Sequence, residues 1–158
     1  MYRIGFSKDI HRLVEGRKLI LAGIAIPSPV GELAHSDGDV VFHAASEAVL
    51  GALALGDLGK YFPPNDPKIE GIDSAIIVKK VVSFMKEKNY SLANIDIHVL
   101  LETPKLASYI EKMRKNTAEL FETSIENVSI TAGTNEQLGE VGRKEAVEAS
   151  AIVLLRKA

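Results

Sequence analysis

The stretch AHSDGDVVFHAASE, residues 34–47, carries two of the chain's four histidines and three carboxylates, then continues into an apolar run that reaches Leu55. With Asp37 as a cap and a helix opening at Gly38 or Asp39, the residues Asp39, His43 and Glu47 stand at i, i+4 and i+8, on one stripe. Val41, Ala44, Ala45, Ala48 and Val49 occupy much of the remaining circumference. A helix that is apolar nearly all round is buried, so its polar stripe is buried too, or lines a cleft. Ionisable groups in such a place need partners, and a metal ion or a phosphate is a good one.

Upstream of this stretch, Tyr2–Phe6 reads as a strand and is followed by the polar segment SKDIHRL. Two short apolar pieces between Arg17 and Ile26, hinged at Gly23, suggest a hairpin or a bulged strand. Downstream, the helix pattern breaks near Gly56, and residues 60–72 hold three prolines and a glycine, which predicts an irregular binding loop or connection. Asp73 is placed to cap a second helix running to Asn89. The alternation of residues 95–101 predicts a strand, and Thr103-Pro104 reads as the cap and first position of a third helix ending near Phe121. Residues 128–132 form a further strand, 133–143 a glycine-punctuated turn, and 145–156 a closing strand. This order contains no strict βαβ repeat. It predicts an α+β fold, a mixed β-sheet packed on one side by about three helices, in a single domain over residues 1–158.

Composition narrows the function. The 46% apolar and 25% charged fractions are those of a globular protein, and a net charge of −2 with scattered Lys and Arg gives no footprint for nucleic acid. Aromatic residues make up only 6%, with no Trp, so no stacking platform for bases is evident. No apolar stretch approaches the ~18 residues a membrane helix needs. The N-terminus reads as a strand, not a signal peptide, so a cytoplasmic protein with no membrane partner is expected. Without cysteine, His and carboxylates are the only strong metal ligands available.

Four groupings of residues carry possible chemistry. Asp9 and His11, two apart in extended chain, project to the same side and can reach one ion. Joined by His43 they make two imidazoles and a carboxylate with a fourth position open, the ligand set of a catalytic zinc. Asp39 and Glu47, one turn to either side of His43, are then placed to orient its other ring nitrogen. The plainer reading makes His43 a buried histidine bonded to one of those acids, and His35 and Ser36 capping residues. Asp57-Leu58-Gly59, with the loop Phe62-Pro63-Pro64-Asn65-Asp66, suits hydroxyl or ribose binding, or is a turn and a solvated loop. Thr134-Asn135-Glu136 combines backbone amides, a hydroxyl and a carboxylate that could hold a phosphate and its Mg²⁺. Gly142-Arg143-Lys144-Glu145 is a cationic turn that could hold an anion or pair with neighbouring acids.

Together these segments resemble the 2-C-methyl-D-erythritol 2,4-cyclodiphosphate synthase family. The likeness rests on DIHRL at 9–13, LAHSDGDVVFHA at 33–44, GALALGDLGKYFP at 51–63, Pro104-Lys105, and the LG..GR pattern at 138–143, in the same order and spacing. The resemblance implies a homotrimer with sheets around a threefold axis and sites at subunit interfaces. It implies one Zn²⁺ per subunit on Asp9, His11 and His43, and a second ion, Mg²⁺ or Mn²⁺, with Glu136 as candidate ligand. The implied reaction is intramolecular: the 2-phosphate of 4-diphosphocytidyl-2-C-methyl-D-erythritol 2-phosphate attacks the β-phosphate, forming the cyclic diphosphate and releasing CMP. By the same likeness His35 and Thr134 stabilise the transition state and Ser36 lies near the 2-phosphate. Asp57, Leu58 and Gly59 hold the methylerythritol hydroxyls, covered by Phe62–Asp66. Leu101, Pro104, Lys105, Leu106, Ala107, Ala132, Gly133 and Thr134 come from a neighbouring subunit and hold the cytidine, and Asn135 is a further substrate contact. Gly139, Arg143 and Glu145 form an anion site at the trimer axis, and Arg143 is also counted with the substrate contacts.

The chain departs from the family pattern in a few places. Where GxGxDxH is usual, it reads Gly5-Phe6-Ser7-Lys8-Asp9, and Glu47 stands where an aspartate is usual. Asn135 replaces a threonine, and Glu140 an aromatic. Lys8 and Glu140 fall where the family lines a hydrophobic axial cavity that holds isoprenoid diphosphates, so an apolar tail is expected to bind poorly there. Two other functions share these residues: a zinc-dependent phosphohydrolase, with Glu47 as the base, and a trimeric binding module without catalysis.

Overall fold

Residues Tyr2–Glu15 form one long strand, β1, whose alternation is inverted relative to a simple two-layer protein. Its large apolar side chains Tyr2, Ile4, Phe6 and Ile10 are exposed, while Gly5, Ser7, Asp9 and His11 face the helices. The computed structural model describes residues 1–158. After β1 come β2 (Leu19–Leu21), β3 (Ile24–Ile26) and β4 (Val30–Leu33). Then follow α1 (Val40–Ala52), α2 (Leu58–Tyr61), α3 (Ser74–Glu87) and β5 (Tyr90–Leu100). The chain ends with α4 (Ile110–Leu120), β6 (Val128–Gly133), α5 (Gly139–Gly142) and β7 (Ala146–Lys157).

Five strands make one mixed sheet in the order β4-β1-β7-β5-β6, with β5 and β6 parallel and the other pairs antiparallel. The predicted α+β class, with helices on one side of the sheet, is what the chain adopts: α1, α3 and α4 pack against it. The β2–β3 pair is the hairpin read around Gly23, closed by Ala22 and Gly23, both at positive φ (52° and 76°). Two positive-φ residues give the turn whose twist matches that of paired strands.

The core is the seam between α1 and the sheet. Nine apolar residues of α1, from Val40 to Ala52, are buried, and beneath them lie Val147, Ala149, Ala151, Val153, Ile95 and Ile97. Contact with β1 is closest at Gly5, where an added Cβ would stand 1.9 Å from the Ala48 carbonyl oxygen. Glycine there lets helix and strand backbones approach directly. The Arg3 guanidinium donates to the Ala52 carbonyl and ties the end of α1 to the same strand.

Several element readings are corrected. The strand does not stop at Phe6, so Asp9 and His11 lie in mid-strand and not in a polar connection. The cap of α1 is Asp39, whose carboxylate accepts from the Phe42 N–H, and not Asp37. Thr103-Pro104 is a cis peptide in a turn and opens no helix; a 3₁₀ turn at Ala107–Tyr109 leads into α4 instead. Residues 60–72, expected to be irregular, contain the end of α2 and a 3₁₀ turn at Pro67–Ile69. The reading of Asp73 as the cap of α3 holds: its side chain accepts from the Ala75 N–H.

Candidate metal centre

Asp9 and His11 point from β1 toward the first turn of α1, where His43 meets them. One donor atom from each lies within 4.8 Å of the others. The Asp9 Oδ2 oxygen is 3.0 Å from His11 Nε2 and 3.6 Å from His43 Nδ1, and the two imidazoles stand edge to face with centroids 5.1 Å apart. The outer nitrogen of each ring is engaged elsewhere. His11 Nδ1 is 2.6 Å from the Gly38 carbonyl, which only accepts, so that nitrogen carries hydrogen and Nε2 is left for the shared gap. His43 Nε2 lies 3.1 Å from the hydroxyls of both Ser36 and Ser74, leaving Nδ1 to face the same gap. Two imidazoles held this way and one carboxylate fit a zinc ion with an open position.

The charges agree with that fit. Burial alone would raise the Asp9 carboxyl, but hydrogen bonds and charge from His11 and His43 hold it well below the usual range. Burial opposes protonation of His11, yet its bond to Asp9 and that group's charge raise its pKa overall. Both shifts favour opposite charges at Asp9 and His11, and a cation bound there would compete with a proton for His11 Nε2.

Beside these ligands opens a cleft of about 610 Å³, within the range of small-molecule sites. His35, Ser36, Asp57, Leu58, Gly59, Phe62 and Pro64, read as candidate substrate contacts, line it. Asp66 belongs to its rim, its carbonyl 3.2 Å from His35 Nε2, while Pro63 and Asn65 do not line it. The Asp57 carboxylate also caps α2 through the Lys60 N–H. Glu47 lines the cleft, its carboxyl raised by burial, and accepts from the Leu58 N–H at 3.0 Å.

The expectation that Asp39 and Glu47 orient His43 is overturned. Asp39 turns inward and accepts from the backbone N–H groups of Ala22, Gly23 and Phe42, joining the β2–β3 turn to the start of α1. Burial lifts its pKa to about 6 against those donors. Next to it the fully buried Glu32 accepts from Ile20 and Val40 N–H, and burial together with the Asp39 charge pushes it up to about 10. Ser74, which does touch His43, was not singled out in the sequence, where it is one serine following a helix cap.

The remaining site residues lie elsewhere. Leu101, Pro104, Lys105, Leu106, Ala107, Ala132, Gly133, Thr134, Asn135 and Glu136 sit at one end of β5 and β6, and none lines the cleft. Pairing places Asp9, Ala149, Val99 and Ala132 in one row across the sheet, so Ala132 is three strand spacings, about 14 Å, from Asp9. The Thr134–Gln137 turn is held by Glu102, which accepts from the Asn135 and Gln137 N–H groups. Arg143 and Glu145 pair at 3.2 Å in the exposed turn before β7, near Gly139 at positive φ. Lys8 and Glu148 pair at 2.9 Å on the sheet face opposite the helices.

The model of the YgbB family matches residues 2–156. The chain belongs to the YgbB family. Among its relatives is the 2-C-methyl-D-erythritol 2,4-cyclodiphosphate synthase of Brachyspira hyodysenteriae, 50% identical over 155 residues and covering 98% of both chains. That of Bacillus cytotoxicus is 48% identical over 157 residues, 99% of each. Solved structures agree in fold. A 2C-methyl-D-erythritol-2,4-cyclodiphosphate synthase in a CDP-bound form superposes with a TM-score of 0.90 at 37% identity, over 98% of this chain and 100% of that one. The bifunctional IspDF from Campylobacter jejuni gives 0.96 at 35% identity, with all of this YgbB-family chain matching 43% of it.

Proposed function

We propose that this chain is a 2-C-methyl-D-erythritol 2,4-cyclodiphosphate synthase, a single-domain cytoplasmic enzyme acting as a homotrimer. The observation that carries the proposal is the convergence of Asp9 Oδ2, His11 Nε2 and His43 Nδ1 beside a cleft, in a chain of this family. The substrate is 4-diphosphocytidyl-2-C-methyl-D-erythritol 2-phosphate. An oxygen of its 2-phosphate bonds to the β-phosphorus in line as the bond to the bridging α–β oxygen breaks, and that oxygen leaves with CMP. No protein nucleophile takes part, so catalysis is positioning and charge neutralisation. Asp9, His11 and His43 would hold a Zn²⁺ ion, which would supply Lewis-acid polarisation at the phosphate undergoing attack.

The residues then divide the work. Asp57 and the Leu58-Gly59 backbone bind the methylerythritol hydroxyls, with Phe62–Asp66 as a cover. Ser36 donates to the 2-phosphate, and His35 lies beside the reacting groups. Thr134 stabilises the transition state from a neighbouring subunit. Glu136, an exposed carboxylate in its turn, would hold Mg²⁺ or Mn²⁺, whose charge would offset that of the substrate's phosphates. Leu101 to Ala107, with Lys105, and Ala132 to Thr134 bind the cytidine. The homotrimer draws support from Ile4, Phe6 and Ile152, whose side chains are 71%, 62% and 46% exposed on the sheet face opposite the helices. Closing that face around a threefold axis brings the Lys8–Glu148 pairs and the Arg143–Glu145 anion site inward, so an isoprenoid tail meets charge there.

The test is incubation of the purified protein with the cytidine diphosphate substrate and Mg²⁺, followed by product analysis. CMP with the cyclic diphosphate is expected. CMP with a linear phosphate would make it a hydrolase, and absence of CMP a binding module; either result overturns the proposal.

A further inference from the structure

With His43 Nδ1 given to a metal, Nε2 carries the ring's hydrogen, and it faces two hydroxyls, Ser36 and Ser74, both at 3.1 Å. Hydrogen accounting separates them. The Ser74 hydroxyl also touches Asp37 Oδ1, and a carboxylate oxygen only accepts, so Ser74 gives its hydrogen to Asp37. Its lone pairs are then what it offers to His43. The Ser36 oxygen accepts from the Gly38 N–H, and its own hydrogen is committed to no protein group. Ser36 lines the cleft, so that hydrogen is available to a ligand there.

Asp37 is built as an acceptor on both oxygens. Its Oδ1 accepts from the Asp39 N–H as well as from Ser74, and its Oδ2 accepts from the Ser74 N–H at 2.9 Å. The Asp37 N–H in turn donates to the Ile72 carbonyl at 3.0 Å. The start of α3 is thereby clamped to the loop before α1. Ser74 itself is fully buried, and its hydroxyl spans the carboxylate and the imidazole.

We propose that Asp37 and Ser74 form a positioning relay, carboxylate to hydroxyl to imidazole, that fixes the His43 ring with Nδ1 turned toward Asp9. This extends the zinc reading above and rests on it. Partners that accept from the outer N–H of a ligating histidine orient the ring and raise its basicity, and their loss typically lowers metal affinity 10–100-fold. Ser36 has a separate task, donating into the cleft.

The test titrates zinc-loaded wild-type protein and variants with a chromophoric chelator, and follows the His43 Nε2–H resonance in the loaded proteins by ¹⁵N-edited NMR. Ser74→Ala is expected to lower zinc affinity about tenfold or more and to speed solvent exchange of that hydrogen. Asp37→Asn keeps the buried hydroxyl but sets an amide N–H against one of three donors, and loses affinity in the same direction. It carries the test if Ser74→Ala does not fold. Ser74→Thr restores the hydroxyl and most of the affinity. Ser36→Ala keeps zinc affinity within about twofold, since Ser74 remains. Wild-type protein that binds zinc no better than Ser74→Ala and Asp37→Asn overturns the relay alone. Wild-type protein that takes up no zinc overturns the metal reading and the relay with it.

Discussion

Replacing Gly5 by alanine should damage stability and the metal centre together, because one contact serves both. The added Cβ would sit 1.9 Å from the Ala48 carbonyl oxygen and 2.8 Å from the Ala52 nitrogen, both backbone atoms of α1. Neither can rotate away, so the helix has to retreat by about 1.1 Å to reach a separation of roughly 3.0 Å. Overpacking of this kind costs about 1–3 kcal/mol, and a clash with backbone belongs at the upper end. α1 also carries His43, while Asp9 and His11 ride on the strand that gains the methyl group. Metal ligands tolerate displacements of only about 0.2 Å, so zinc affinity should fall at least tenfold. Gly51→Ala is the control. It lies in the same helix, its Cβ would meet nothing within 4 Å, and there alanine should stabilise by about 0.5–1 kcal/mol. Urea unfolding and chelator competition on both variants measure the two effects. A Gly5→Ala protein with the wild-type urea midpoint and zinc affinity would refute the reasoning.

Three other perturbations have signs fixed by the structure. His43→Ala should abolish zinc uptake and CMP release together, and retained activity would reject His43 as a ligand. Ser46→Ala should stabilise by about 1 kcal/mol, read as a higher urea midpoint, because the Ser46 hydroxyl is buried without a hydrogen-bond partner. Glu32→Gln should flatten the pH dependence of stability. The folded carboxyl, pushed up to about 10, holds its proton where the unfolded one near 4.5 has lost it, so wild-type stability falls as pH rises between those values. Equal slopes for wild type and variant in urea titrations across that range would contradict the assignment.

Much of this arrangement is legible in the sequence, for definite reasons. The α1 run shows because apolar residues surround a helix that must be covered on nearly every side. Asp9 and His11 show because spacing by two is the strand period. Strand β1 looks short in the sequence because its alternation runs backwards. Ser7, Asp9 and His11 face the helices while Ile4, Phe6 and Ile10 face out, and a pattern read for one chain expects the reverse. The error over Asp39 has another origin. Helical spacing places its side chain on the stripe of His43, but spacing cannot register the unpaired N–H groups of Ala22 and Gly23, which draw the carboxylate away. Ser74 was invisible because its bond to His43 spans 31 positions and no periodicity links them.

The proposed sharing of the site between subunits leads to a last prediction. The three proposed metal ligands come from one chain, and each outer nitrogen is held by that same chain. The Thr134 turn of the same chain does not touch them: strand pairing sets the neighbouring Ala132 about 14 Å from Asp9. Zinc binding and catalysis should therefore separate when association is broken. Phe6 points away from the helices and pairs across to Ile152, and both are exposed. Phe6→Asp would place a charge in that apolar patch, where burial against another subunit leaves it without a partner. The variant should sediment as a monomer, bind zinc as the wild type does, and release CMP at least about a hundredfold more slowly, since the Thr134 contribution to the transition state is lost. A monomer with full activity would mean that one chain completes the site and would overturn the proposed sharing between subunits.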